Sequence, residues 1–159
     1  MGTKNTDLVA NFEASPQVAN NSAELHGVLR TANGTVELAA GDSDNDDIVM
    51  LAPIPSNASV TSLFIGSDTL GGSCTFNVGI YTTDGTVKDE DVFATAVADA
   101  GAMTDVRFEA ANIDTAGQKM YELAGDSSDP GGYYYIAATM AAAGGTAGTM
   151  SWNITYVVN

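Results

Sequence analysis

The sequence predicts an all-β protein, an antiparallel β-sandwich that is jelly-roll-like, with one short helix and a polar N-terminal arm. Apolar and polar residues alternate over residues 76–81 and again over 149–158, which is the period of a strand buried on one face. Gly, Pro, Asn and Asp recur between the apolar segments, where tight turns need them. About seven or eight short strands with such turns and little helix are typical of a sandwich.

The chain has 159 residues, which is enough to bury one core, and we expect it to have two parts. Residues 1–24 are predicted to form an extended N-terminal arm, and residues 25–159 a single β-sandwich domain. The arm is polar and shows neither the helical nor the strand period. It is either a frayed terminus or a segment that becomes ordered on a partner, and the sequence leaves both alternatives open.

Four strands are predicted in the first half of the domain. They are residues 25–30, 35–39, 48–51 and 60–65. Asn33-Gly34 separates the first two, and this dipeptide is a strong signal for a hairpin turn. Pro53 and Pro55 are expected to end the pairing of the third strand, because proline has no N–H to donate.

Four strands are also predicted in the second half. They are residues 76–81, 106–108, 133–140 and 149–158. Asp84-Gly85 and residues 129–132 supply tight turns between them. Residues 118–124 are expected to form one helical turn that stops at Gly125.

Residues 91–98 are predicted to form the short helix. The acidic run 89–91 suits a helix start, where negative charge is favourable. Val92 and Ala96 are four residues apart and would share one helical face.

The charge balance excludes several classes of partner. The chain has 20 acidic and five basic residues, a net charge of −15. Nucleic-acid binding needs clustered Lys and Arg, so we expect no nucleic-acid partner. An anionic membrane surface is disfavoured for the same reason, and no apolar run reaches the ~20 residues of a membrane span, so no membrane partner is expected. Such a charge favours solubility and repulsion between copies, except where a specific contact overrides it.

Two acidic runs are candidate sites. Residues 42–47 could offer several oxygens to Ca²⁺, but the EF-hand pattern fails because Asp47 stands where Gly is needed and Pro53 where Glu is needed. The simpler interpretation is a solvated acidic turn. Residues 89–91 could join another carboxylate in acid–base work, but the helix-start interpretation is simpler.

Cys74 and His26 are the other candidates for chemistry. Cys74 is the single cysteine and lies in a strand pattern, where a free thiol behaves as a small buried hydrophobe. His26 is the single histidine and lacks companions for a zinc site. With one histidine and no Gly-x-Ser-x-Gly turn, a serine hydrolase cannot be assembled. We therefore expect no enzyme, and assign no catalytic, metal-binding or cofactor-binding residue and no cofactor.

The aromatic residues near the C-terminus suggest an alternative. Tyr133, Tyr134, Tyr135 and Trp152 could form a platform for stacking sugars. Strand alternation sends Tyr134 to the face opposite Tyr133 and Tyr135, so the three cannot share one platform. Packing in the core and between subunits is the simpler use.

Several stretches of the chain resemble the head-decoration (capsid cement) proteins of tailed bacteriophages. They are VELAAGD at 36–42 with APIPSNA at 52–58, FNVGIY at 76–81 with the Asp84-Gly85 turn and Phe93, YELAG at 121–125, and the ending from AGT at 147–149 to YVV at 156–158. The resemblance covers roughly residues 25–158. It implies a β-rich structural protein that binds the outside of an assembled shell as a symmetric oligomer, and that has no catalytic residues.

The expected function is therefore a structural virion protein that binds the exterior of a bacteriophage capsid and stabilises it. Its expected partners are the major capsid protein and its own copies, with a trimer favoured. It would be made in the host cytoplasm and lie on the outer surface of the virion. The alternative is a carbohydrate- or receptor-binding module of a phage tail or fibre, and a hydrolase with paired carboxylates is a third.

Overall fold

The computed structural model describes residues 5–19, 27–99, 101–110 and 113–158. In this part of the chain, eight strands form two four-stranded sheets. The strands are β1 Leu29–Leu38, β2 Ile48–Pro55, β3 Ala58–Ser67, β4 Thr75–Tyr81, β5 Val87–Ala98, β6 Thr104–Asp105, β7 Tyr133–Ala142 and β8 Gly148–Val158. The helical segments are short: α1 Asp7–Glu13, α2 Met120–Leu123, and 3₁₀ turns at Ala40–Asp42 and Ile113–Thr115.

The strand order is that of a jelly roll. The first sheet has the order β1-β8-β3-β6 and the second the order β2-β7-β4-β5. Strands β1 and β8, β2 and β7, β3 and β6, and β4 and β5 pair antiparallel, as if one long hairpin were rolled up. The predicted fold class is therefore confirmed.

The core lies between the two sheets. Phe76, Val78 and Ile80 of β4 are fully buried, and so are Met150 and Ile154 of β8. These are apolar positions of the two alternating segments, so their predicted burial is confirmed, although Tyr81 on the opposite face of β4 is buried as well.

The predicted hairpin at Asn33-Gly34 is wrong. Strand β1 runs straight through both residues and pairs with β8 along its whole length. A Cβ at Gly34 would lie 2.6 Å from the ring of Trp152. The glycine therefore makes room for a large neighbour on β8 and does not form a turn.

Pro53 and Pro55 do not end the pairing of their strand, contrary to expectation. Pro53 lies opposite Tyr135 and Pro55 opposite Tyr133 within β2. Strand β2 is an edge strand, and one side of an edge strand needs no hydrogen-bond donors.

The predicted helix at 91–98 is also wrong, because these residues belong to β5. Phe93 and Ala94 are buried in the core. Strand β5 crosses β4 where Gly79 has no side chain: a Cβ there would lie 2.1 Å from the Asp89 carbonyl oxygen and 2.2 Å from the Glu90 carbonyl carbon. Pairing with β4 therefore overrides a local pattern that also fits a helix.

Two further segments differ from expectation. The strand predicted at 106–108 is wrong, because β6 ends at Asp105 and Arg107 lies buried in the turn that follows. Residues 7–13 of the expected extended arm form helix α1. The arm boundary at residue 24 lies outside the described residues. The helical turn expected near 118–124 is confirmed as α2, and Gly125 follows it with φ +79°.

Candidate interaction surfaces and buried polar groups

The acidic loop 42–47 uses its carboxylates to hold its own backbone. Asp42 Oδ2 accepts from the Ala39 N–H at 2.9 Å, and Asp47 Oδ2 accepts from the Asp44 N–H at 2.9 Å. Ser43 is buried, and its Oγ accepts from the Gly145 N–H at 3.0 Å. Within the described ranges, no three His, Cys, Asp or Glu side chains converge to hold a metal ion.

The second acidic run, 89–91, lies on edge strand β5. Burial raises the pKa of Asp89, while a hydrogen bond from the Asp91 N–H at 3.2 Å opposes that shift. The carboxylate therefore helps to shape an irregular stretch of strand, where the sequence had predicted a helix start.

Cys74 is a buried free thiol immediately before β4. Burial raises its pKa, and the charge of Asp99 adds to the effect. The neutral thiol therefore packs as a small apolar group. His26 lies outside the described residues.

The aromatic residues do not form one platform. Tyr133, Tyr134 and Tyr135 lie on β7 of the second sheet, whereas Trp152 lies on β8 of the first sheet, half-buried against Gly34. Tyr134 is buried, whereas the Tyr133 side chain is 57% exposed. A sugar-stacking surface built from the tyrosines and Trp152 together is therefore ruled out.

A polar hollow of about 450 Å³ lies beside Tyr133. It is open to solvent and is lined by the turn after β4, the loop after α2 and residues of β5 and β7. Lys88 Nζ donates to Asp126 Oδ1 at 2.7 Å, and the Tyr134 hydroxyl donates to the same carboxylate. These bonds hold the pKa of Asp126 below its usual range, and burial raises the pKa of Tyr134. The sequence alone does not indicate this cluster, because its members come from three separate segments.

Arg107 is a second polar group that the sequence pattern does not indicate. Its side chain is fully buried, with Nε donating to the Val60 carbonyl at 2.9 Å and Nη2 to the Thr115 carbonyl at 3.2 Å. The guanidinium lies 5.1 Å from the ring centre of Phe93 and 4.4 Å from that of Phe108. The arrangement ties the turn after β6 to β3 and to the loop before α2, which is a structural role.

Helix α1 and one groove on the sandwich carry exposed apolar side chains. Helix α1 has no buried residue, and its Phe12 is 63% exposed. A groove of about 370 Å³ runs between edge strands β1 and β2, and Val36, Ile48 and Met50 line it beside acidic residues. Of the described helices, none is long and apolar enough to cross a membrane.

The fold occurs in phage capsids. A chain in the structure of the cyanophage Pam1 capsid asymmetric unit aligns over 100% of both chains, with 16% identity and a TM-score of 0.55. A chain in the capsid of Ralstonia phage GP4 aligns over 84% of this chain and 86% of its own, with 18% identity and a TM-score of 0.55. No family model and no curated protein matches the sequence. The resemblance to phage head proteins is therefore confirmed at the level of the fold.

Proposed function

We propose that this protein is a non-enzymatic structural component of a phage virion that binds the exterior of the capsid and stabilises it. The observation that carries the proposal is the jelly roll, which aligns end to end with a whole chain of a phage capsid structure. A net charge of −15 suits an external position and is unfavourable for a protein that faces the packaged genome. The major capsid protein is the proposed partner.

The proposed assembly is a homotrimer on the outer surface of the virion, made in the host cytoplasm. Shells present local threefold positions, and closed symmetry makes every contact repeat.

The N-terminal segment is proposed to contact the shell. Its helix α1 exposes Val9 and Phe12 and buries none of its residues in the sandwich, so these apolar side chains remain available to a partner.

Purified intact phage heads test the function. Mass spectrometry is expected to find this chain in a fixed ratio to the major capsid protein, and electron microscopy to place its density on the outer surface with threefold symmetry. Heads that lack the chain, or carry only a few copies per particle, would refute the proposal. Density on the inner surface would refute the external position.

The hollow beside Tyr133 favours one alternative, a carbohydrate-binding module of a tail or fibre. It combines an exposed aromatic ring with an ion pair and several hydroxyl groups, which suits a neutral sugar. Binding on a glycan array that Tyr133→Ala abolishes and Trp152→Phe preserves would support this alternative. Purified tails that contain the chain while heads lack it would favour it over the capsid proposal.

A further inference from the structure

Of the four sheet edges in the described part of the chain, three have features that prevent pairing with another strand. Strand β6 has only two residues. Strand β2 contains Pro53 and Pro55 and has an irregularity between Met50 and Ala52. Strand β5 carries the charged run 88–91, and its pairing with β4 shifts register three times. Short strands, prolines, charges and bulges are the features that keep a sheet edge from pairing with another chain.

Strand β1 is the fourth edge and has none of these features. It is ten residues long and pairs with β8 without a break, from Leu29 opposite Val157 to Leu38 opposite Gly148. Its outer side pairs with no strand of the described chain. An edge strand of this length and regularity offers a row of backbone N–H and C=O groups to a partner strand.

The charge distribution points to the partner. Strand β1 carries one acid, Glu37, and one base, Arg30, and both lie near its ends. Most surface contacts between two copies of a −15 chain bring acidic side chains together. The uncharged middle of β1 is a surface on which two copies can meet without that repulsion.

We propose that β1 pairs antiparallel with β1 of a second copy, so that the first sheets of the two molecules become one continuous sheet. A two-fold axis near Asn33 would place Thr31 of one copy opposite Thr35 of the other. The two Glu37 side chains would then lie about 25 Å apart at ~3.3 Å per residue, beyond the Debye length of about 8 Å at physiological ionic strength. The second copy would also cover the groove between β1 and β2.

This two-fold contact does not depend on capsid binding. It is isologous, since each copy contributes the same strand. In a protein that also forms trimers through another surface, it links each copy to a copy in another trimer. The isolated protein is therefore sufficient to test it.

The test compares two double variants by sedimentation equilibrium. Thr31→Glu with Thr35→Glu puts like charges opposite each other across the proposed seam, where they destabilise pairing. Thr61→Glu with Thr104→Glu adds the same charge outside β1. The pairs are matched because all four threonines are exposed, and because Thr35 and Thr61 each hydrogen-bond to a β8 hydroxyl, at 2.9 and 2.7 Å.

The wild-type assembly is expected to have at least twice the mass of the Thr31/Thr35 variant, whether that variant is a monomer or a trimer. The Thr61/Thr104 variant is expected to keep the wild-type mass. At concentrations where the wild type begins to dissociate, the seam variant should associate at least tenfold more weakly. Equal masses for wild type and seam variant, or dissociation in the control variant, would overturn the proposal.

Hydrogen exchange gives an independent measurement. Alternate N–H groups of an edge strand point away from its own sheet, so a free β1 would exchange them fast. We expect the wild type to protect both alternating sets of β1 amides and the seam variant to lose protection of one set. Protection that appears only on capsids would show that the shell supplies the partner strand, and would overturn pairing between copies. Raising NaCl from 0.1 to 1 M should strengthen the contact, and a weaker contact at high salt would contradict it.

Discussion

The Arg107 side chain shows how a charged group is tolerated inside this sandwich. Its guanidinium donates to two backbone carbonyls and lies over the rings of both Phe93 and Phe108. Burial lowers its pKa to about 10, and the charge of Asp105 opposes that shift. The cost of desolvation is therefore offset by hydrogen bonds and aromatic contacts, and without them a buried charge would destabilise the fold.

Arg107→Lys is expected to lower the free energy of unfolding by about 3 kcal/mol. An ammonium group cannot reproduce the planar, multidentate donors or the stacking of a guanidinium, so it leaves buried carbonyls without partners. Arg30→Lys is the control, because Arg30 is exposed at the start of β1. Urea unfolding at pH 7 measures both variants. If the two midpoints move by the same small amount, the buried arginine has no special role in stability.

The sequence could not indicate this position. The alternation of Val106, Arg107 and Phe108 fits a surface strand, in which Arg107 faces water. Its acceptors, on Val60 and Thr115, are brought to it only by the folded topology. The Lys88–Asp126–Tyr134 cluster was missed for the same reason. By contrast, the burial of Cys74 was predictable, because its strand pattern is local.

Strands β4 and β5 differ in how far their own sequence determines their secondary structure. Strand β4 was predicted from its own alternation, because its apolar residues Phe76, Val78 and Ile80 are all buried in the core. The residues of β5 satisfy a helical spacing as well as they satisfy a strand, and contact with β4 decides between the two. The position that permits that contact, Gly79, lies outside the ambiguous segment.

Gly79→Ala is expected to destabilise the protein by about 2 kcal/mol, in the range of overpacked cores. The added Cβ would meet backbone atoms of Asp89 and Glu90, and backbone yields less readily than a side chain. Gly41→Ala is the control, because its Cβ would meet nothing within 4 Å, and it should change stability by no more than about 0.5 kcal/mol. Thermal unfolding measures both. Equal melting temperatures would mean that β5 can move away from β4 at no cost.

At the scale of the whole molecule, the fold class was predictable and the path of the chain was not. The strand and turn patterns that indicate a sandwich each span only a few residues, so they can be recognised in the sequence. Strand β1 continues straight through Asn33-Gly34 because it pairs with β8, where Trp152 lies more than a hundred positions away in the sequence. Tolerance of Pro53 depends on β2 lying at an edge. The sandwich buries its own core, whereas the N-terminal segment, residues 5–19, has no buried residue.

This difference in burial predicts that removing the N-terminal segment affects capsid binding but not stability. Removing residues 1–19 is expected to change the free energy of unfolding by no more than about 0.5 kcal/mol, because no described residue of the segment is buried. If the segment contacts the shell, the truncated protein should bind heads lacking this chain at least tenfold more weakly.

Phe12→Asp should reproduce most of that loss of binding, because the ring is 63% exposed on α1. Val87→Asp, which changes an exposed apolar residue on β5, is the control and should bind normally. Co-sedimentation with heads measures binding, and full binding by the truncated protein would place the capsid contact on the sandwich itself.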